Sequence, residues 1–161
     1  MQILTSDIFT NDDNILDDSQ MHPIAVFEFL SDTKRFLDEN YRGCCKIKSI
    51  QSEGEVIMIR AYEYANFLKT IFNAVRASHL IEIDATFNPK SLNFYITLDT
   101  SLISGDTESK LIKIAENSGF TAEFKDGYIE VSFTLLDAKY FAFQAVSSSF
   151  IYNTLKKAFA S

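Results

Sequence analysis

The sequence is poor in the residues that carry metal, redox and nucleotide chemistry. It has 161 residues, with no tryptophan, two histidines and two cysteines. Cys44 and Cys45 are adjacent, so they cannot close an ordinary disulfide loop, and no further cysteine is present to pair with either. A zinc site needs several ligands at close, repeated spacing, which the isolated His22 and His79 do not supply. We therefore predict no bound metal, and free thiols in a reducing compartment, the cytoplasm.

Glycine and long apolar runs are also scarce. The five glycines stand singly along the chain, which excludes the glycine-rich loops that bind phosphates and dinucleotides. No apolar run approaches the roughly 18 residues of a membrane-spanning helix, and the start of the chain lacks the pattern of a signal peptide. The sequence therefore indicates a soluble protein without a cofactor and without a membrane as its partner.

A local excess of positive charge is missing as well. Acidic residues outnumber basic ones, 22 to 15, and the excess is confined to one end of the chain. Between Met1 and Asn40, nine acidic residues are opposed only by Lys34 and Arg35, whereas the rest of the chain holds thirteen of each sign. Because neutralising phosphates requires clustered Lys and Arg, we exclude nucleic acid as a partner.

The first twenty residues differ in pattern from the rest. Apolar pairs such as Ile3-Leu4 and Ile8-Phe9 alternate there with polar residues, and no helical or strand period is sustained. We interpret residues 1–20 as an acidic arm and residues 21–161 as one domain of ordinary size. The apolar pairs make the arm a candidate for contact with a protein partner.

Residues 21–161 predict alternating helices and hairpins. Helices are expected at 18–40 with Pro23 in the first turn, at 62–78, at 107–118 between a cap at Asp106 or Thr107 and Gly119, and at 150–159. Residues 140–146 fit either a strand or the start of the last helix. Hairpins are expected at 45–61, 81–98 and 120–133. In the first hairpin, alternation places the Cys45 side chain toward the core and the Cys44 side chain toward solvent. The order α-ββ-α-ββ-α-ββ-α predicts an α+β fold, a two-layer sandwich of one mostly antiparallel sheet with helices on one face.

The third hairpin has the strongest local signal. Asp126-Gly127 between alternating runs is typical of a two-residue turn with positive φ. The resulting register places Ala122 opposite Val131 on the core side and Glu123 opposite Glu130 on the other. Two like charges directly opposed are unfavourable unless a cation intervenes.

Three acidic side chains of the second hairpin are the candidates for acid–base chemistry. Strand alternation puts Glu82, Asp84 and Asp99 on its polar face, but catalysis would need a cleft that separates their pKa values. A solvated sheet face is the alternative. The run Ser147-Ser148-Ser149 has no base in its sequence context. The sequence thus contains no complete catalytic set, and we favour a protein that is not an enzyme.

Two short motifs lie within this order of elements between Met21 and Leu136. Phe72-Asn73-Ala74 lies on the second predicted helix, and Asp99-Thr100-Ser101 follows the second hairpin. In element order and in these motifs the chain resembles the ATP-binding domain of the superfamily that contains gyrase, heat-shock protein 90, sensor histidine kinases and MutL. The resemblance implies that Asn73 would lie at the magnesium site and that Asp99 would read the adenine.

The chain also departs from that family. Ser101 stands where the first glycine of the adenine-reading motif would lie, and the glycine-rich lid is absent. Lys69 stands one turn before Asn73, where hydrolysing members have a glutamate. The resemblance therefore implies a degenerate member that does not hydrolyse ATP.

Two functions follow from the sequence. The missing catalytic set, the neutral body and the acidic arm favour a non-catalytic interaction or regulatory domain that binds another protein or a second copy of itself. The resemblance implies instead a degenerate nucleotide-binding domain that uses Asn73 and Asp99.

Overall fold

The predicted α+β class is confirmed. The computed structural model of the chain describes residues 17–41, 43–47, 54–75, 81–137 and 149–160. The described strands are β1 (Met21–Ala25), β2 (Glu55–Arg60), β3 (Glu82–Asn88), β4 (Ser91–Thr97), β5 (Thr121–Lys125), β6 (Tyr128–Thr134) and β7 (Leu136–Asp137). The described helices are α1 (Val26–Asn40), α2 (Ala61–Val75), α3 (Gly105–Ser118) and α4 (Phe150–Ala160), with a short 3-10 turn at Thr100–Leu102. These strands form two antiparallel sheets, ordered β1-β2-β7 and β3-β4-β6-β5, where the sequence predicted one.

The four-stranded sheet contains the second and third predicted hairpins, and both are confirmed. In the first of them Ile83 lies opposite Ile96 and Ala85 opposite Phe94. In the other, Gly127 has a φ of 90°, and Glu123 lies opposite Glu130 as the turn predicted. The two hairpins join because β4 pairs with β6 along its full length. Both therefore place their apolar residues on one face and their polar residues on the other.

The three-stranded sheet replaces the first predicted hairpin. β2 pairs with β1 on one side and with β7 on the other, and not with the segment around Cys45. The predicted start of the first helix was therefore wrong, since the residues around Pro23 form a strand and the helix begins at Val26. Pro23 lies on an edge strand, where its missing N–H leaves no gap in the sheet.

The segment around the two cysteines lies along the outer edge of β3. Lys46 N donates to Ile83 O, and Ile83 N donates to Cys44 O, each at 2.7 Å. Cys44 is buried and Cys45 is half-buried, so the predicted inside and outside positions of the two thiols were reversed. An isolated parallel bridge between Cys45 and Ile83, rather than a hairpin, sets which side chain points inward.

Helix α2 buries its apolar side, which includes Leu68, Ile71 and Val75. The apolar side predicted for the first helix is only partly buried, since Phe27 on α1 is 50% exposed. Helix α3 ends at Gly119, which has a φ of 101°. Its N-cap is Ser104, whose hydroxyl accepts from Thr107 N, so the predicted caps at Asp106 and Thr107 were placed two to three residues late. Residues 140–146, which fit a strand or a helix, lie outside the described ranges.

Aromatic side chains hold the helices against the four-stranded sheet. The ring of Phe29 on α1 lies 4.7 Å from that of Tyr64 on α2, between ring centroids. It lies 5.8 Å from Phe94 on β4 and 5.1 Å from Phe133 on β6. Such pairs add to the hydrophobic stabilisation that their burial provides. The core therefore occupies one face of this sheet, and its other face points away from α1 and α2.

The acidic residues that precede α1 and lie on it make contacts within the domain. A carboxylate oxygen of Asp18 lies 2.7 Å from Lys157 Nζ on α4, and Asp18 O accepts from Tyr62 N at 2.9 Å. Glu39 accepts a hydrogen bond from the hydroxyl of Tyr152, also on α4. Residues 17–20 of the predicted arm are thus a turn packed on the domain, and residues 1–16 lie outside the described residues.

Candidate binding surface

The two residues that the family resemblance singles out lie on different elements. Asn73 is exposed in the last turn of α2. Asp99 is exposed at the start of the 3-10 turn, where its Oδ1 accepts from Ser101 N at 3.1 Å and from Ser101 Oγ at 2.6 Å. Ser101, which stands where the family has a glycine, therefore engages the carboxylate that would read an adenine. The nucleotide site remains a prediction from the resemblance.

Of the three acidic residues proposed for acid–base chemistry, Glu82 and Asp84 lie on an outward sheet face and Asp99 lies beyond the strand. Glu82 and Asp84 are half-buried on β3, two residues apart on the same side, and Asp99 follows the end of β4. In the part of the chain that the structure describes, no group of three or more His, Cys, Asp and Glu side chains is arranged to hold a metal ion.

Three rows of residues on the outward face of the four-stranded sheet run across all four strands, and we call this surface the polar face. Alternation along each strand turns these residues away from the core. The rows are Glu82, Thr97, Tyr128, Lys125; Asp84, Tyr95, Glu130, Glu123; and Thr86, Asn93, Ser132, Thr121. The polar face carries four acidic side chains and one basic side chain.

The middle row of the polar face sets an aromatic ring between carboxylates. Tyr95 lies directly opposite Asp84 on β3 and directly opposite Glu130 on β6. The ring of Tyr128, next to Glu130 on the same side of β6, is 6.1 Å from that of Tyr95 between centroids. Both tyrosines are half-buried, so each presents part of its ring to solvent.

Charge on the polar face is only partly compensated. Lys125 Nζ lies 3.2 Å from Glu123 Oε1, and this hydrogen bond and charge raise the pKa of Lys125. Within the described ranges, the ion pairs do not include Glu82, Asp84 or Glu130. The negative potential of the face is therefore carried mainly by these three carboxylates.

Asn93 lies in the third row of the polar face and is only 7% exposed. Its Oδ1 accepts from Ser132 Oγ at 2.7 Å and from Ser91 Oγ at 3.3 Å. These bonds fix the carboxamide across β4 and β6, because a buried polar group is stable only when it is hydrogen-bonded. The third row is therefore held rigidly by hydrogen bonds beside the middle row.

The cysteines do not form a reactive site. Burial raises the pKa of Cys44 to about 12, and burial also raises the pKa of Cys45. Since the thiolate is the nucleophile, burial makes both side chains less reactive at neutral pH than a free cysteine.

Strand alternation in the sequence predicted the outward residues of each hairpin separately, but not that the two sets form one surface. Alternation placed Glu82 and Asp84 on one polar face and Glu130 on another, but the pairing of β4 with β6 that joins the two hairpins cannot be read from either hairpin alone. The sequence did indicate that the two hairpins could pair. Both alternate regularly between apolar and polar residues, and each has an edge strand whose backbone groups need a partner.

No family model matches this chain, and no curated protein matches it. None of the helices in the described ranges has both the length and the apolar character that a membrane span requires.

Proposed function

We propose that the chain is a non-catalytic interaction domain and that it binds another protein through the polar face. The observation that carries the proposal is the row in which Tyr95 lies between Asp84 and Glu130 on an outward sheet surface. Tyrosine is enriched in protein interfaces because its rigid ring buries a large area and its hydroxyl still forms hydrogen bonds.

Rigidity supports a binding role for this surface. The polar face lies on four hydrogen-bonded strands whose other side packs on the aromatic core, and the Asn93 carboxamide is fixed from two strands. A preorganised surface loses little conformational entropy when a partner docks. Self-association through this face would bring like charges together, so a different protein is favoured over a second copy of the chain.

The cellular location is part of the same proposal. Cys44 and Cys45 are both free thiols, which fits a reducing compartment. We place the protein in the cytoplasm. The arm, whose last residues are anchored by the Asp18–Lys157 ion pair, is a second element that can contact the same partner.

Site-specific crosslinking tests the proposal. A photoreactive amino acid replaces Thr97, which is exposed on the polar face, and in a matched protein it replaces Lys113, which is exposed on α3. We expect the Thr97 position to crosslink a defined protein in cells and the Lys113 position not to. The same proteins captured from both positions, or none captured from Thr97, would show that the polar face is not a binding surface.

A further inference from the structure

Glu130 is a carboxylate whose position in the folded sheet is electrostatically unfavourable. Glu123 is directly opposite on β5, and Tyr95 is directly opposite on β4. Like charges directly opposed on one sheet face destabilise the pair. Lys125 pairs with Glu123 at 3.2 Å and its charge also acts on Glu130, but Glu130 itself has no ion pair among the described residues.

A cation from outside the chain would relieve this repulsion. It would meet two carboxylates in the middle row, Asp84 and Glu130, with the Tyr95 ring between them. The face of an aromatic ring attracts cations, and the guanidinium group stacks on such rings better than an ammonium group does. Arginine also forms paired hydrogen bonds with carboxylates, which lysine does not.

The spacing of the rows suits an extended chain. Adjacent strands lie about 4.8 Å apart, so Asp84, Tyr95 and Glu130 span roughly 10 Å, which is close to three residues of an extended segment. The Nδ2 of Asn93 has no acceptor among the described residues, and it adds a donor for a main-chain carbonyl beside this row.

We propose that the polar face binds an extended, arginine-rich segment of the partner protein, with guanidinium groups seated between the Tyr95 ring and the carboxylates of Asp84 and Glu130. This inference rests on the proposed function and adds to it the chemistry of the partner. Charge complementarity selects this occupant, because a face with four acidic side chains and one basic side chain repels phosphate-bearing ligands.

A fluorescently labelled peptide of alternating arginine and glycine is the probe, and fluorescence anisotropy is the measurement. We expect saturable binding that weakens as salt is added, and weaker binding of the matched lysine peptide. Glu130→Gln should weaken binding about tenfold, because it removes a charge-assisted contact. The control is Glu116→Gln, at an exposed position of α3. It makes the same change in net charge and should alter binding by less than about twofold.

The melting temperature of the free protein supplies a second readout. Glu130→Gln removes the repulsion from Glu123, so we expect a rise of roughly 1 to 3 °C while affinity for the peptide falls. Glu116→Gln should leave the melting temperature unchanged. Equal losses of affinity in the two variants would overturn the inference, because they would show that net charge alone attracts the peptide. A Glu130→Gln variant with lowered stability would overturn it as well.

The crosslinking result separates this inference from the proposed function. A partner captured at Thr97 that lacks an arginine-rich segment overturns the inference and leaves the proposed function standing. Peptide binding without any captured partner overturns the proposed function.

Discussion

Asp32 on α1 accepts a hydrogen bond from the backbone N–H of Tyr152 in the first turn of α4, with 3.1 Å between Oδ2 and N. The carboxylate acts as an N-terminal cap, although it belongs to a helix 120 residues earlier in the chain. Asp32 is 4% exposed, and this burial raises its pKa to about 6, against the lowering effects of the Tyr152 N–H and the Arg35 charge. The contact joins the acidic N-terminal region to the C-terminal helix.

The raised pKa predicts the pH dependence of stability. Since the folded-state pKa of Asp32 lies above the ordinary value of 3.8, the folded state binds this proton more tightly. The stabilisation that results is complete below 3.8 and is lost as the pH rises through about 6. Asp32→Asn keeps an acceptor for Tyr152 and cannot ionise. We expect this variant to gain up to roughly 3 kcal/mol over the native protein at pH 7, and the gain to shrink toward pH 4.

Urea unfolding at a series of pH values measures this difference. Glu116→Gln, an exposed carboxylate on α3, is the control and should follow the native protein at every pH. A free-energy difference between Asp32→Asn and the native protein that stays constant with pH would contradict the assignment of Asp32 as the titrating group.

The buried pair of Thr33 and Tyr64 gives a prediction that does not depend on pH. Thr33 Oγ1 and the Tyr64 hydroxyl lie 2.8 Å apart between α1 and α2, and both side chains are buried. Tyr64→Phe leaves the threonine hydroxyl without this partner, which should cost about 1 to 2 kcal/mol of unfolding free energy. Adding Thr33→Val should recover part of the loss. Equilibrium unfolding of the double-mutant cycle measures the coupling, and strictly additive effects would argue against the bond.

Local sequence signals predicted the parts of the fold that local chemistry decides. Asp126-Gly127 specified its turn and register because few residues other than glycine adopt its positive φ, and strand alternation specified the second hairpin. Pro23 was misassigned because its fixed φ suits the first turn of a helix as well as an edge strand. Pairing with β2 decides between them, and no local pattern shows that pairing.

The residues of the polar face could likewise be predicted only within each hairpin. Alternation placed Asp84 on the polar face of one hairpin and Glu130 on the polar face of another. That Tyr95 lies opposite Glu130 follows only from the pairing of β4 with β6, which joins residues more than thirty positions apart. The reversal of Cys44 and Cys45 has a similar origin, since a contact with Ile83 sets their orientation.

Nucleotide binding is tested by thermal unfolding with magnesium-ATP at millimolar concentration. We expect no rise in melting temperature beyond that with magnesium alone, because Ser101 already donates to Asp99 Oδ1 through its N–H and its hydroxyl. A ligand that binds the folded state must stabilise it by mass action. A rise that Asn73→Ala abolishes would establish the nucleotide site that the family resemblance implies.

Two glycines of nearly equal φ allow a steric contact to be measured. Gly119, at the end of α3, has a φ of 101°, and an added Cβ would lie 2.7 Å from the backbone oxygen of Met58 on β2. Gly54 has a φ of 98°, and an added Cβ there would meet nothing within 4 Å. Gly54→Ala should therefore cost only the backbone strain, about 1 kcal/mol, whereas Gly119→Ala should cost about 3 kcal/mol or more.

The difference between these two free energies of unfolding, measured in urea, reports how closely α3 ends against β2. Because the backbone strain is common to both variants, it cancels in the comparison. Equal losses would mean that the Met58 carbonyl can move aside without cost. An excess loss in Gly119→Ala would show that the helix end and the three-stranded sheet are held in rigid contact, as the hydrogen bond from Ser118 Oγ to Arg60 O at 3.2 Å also requires.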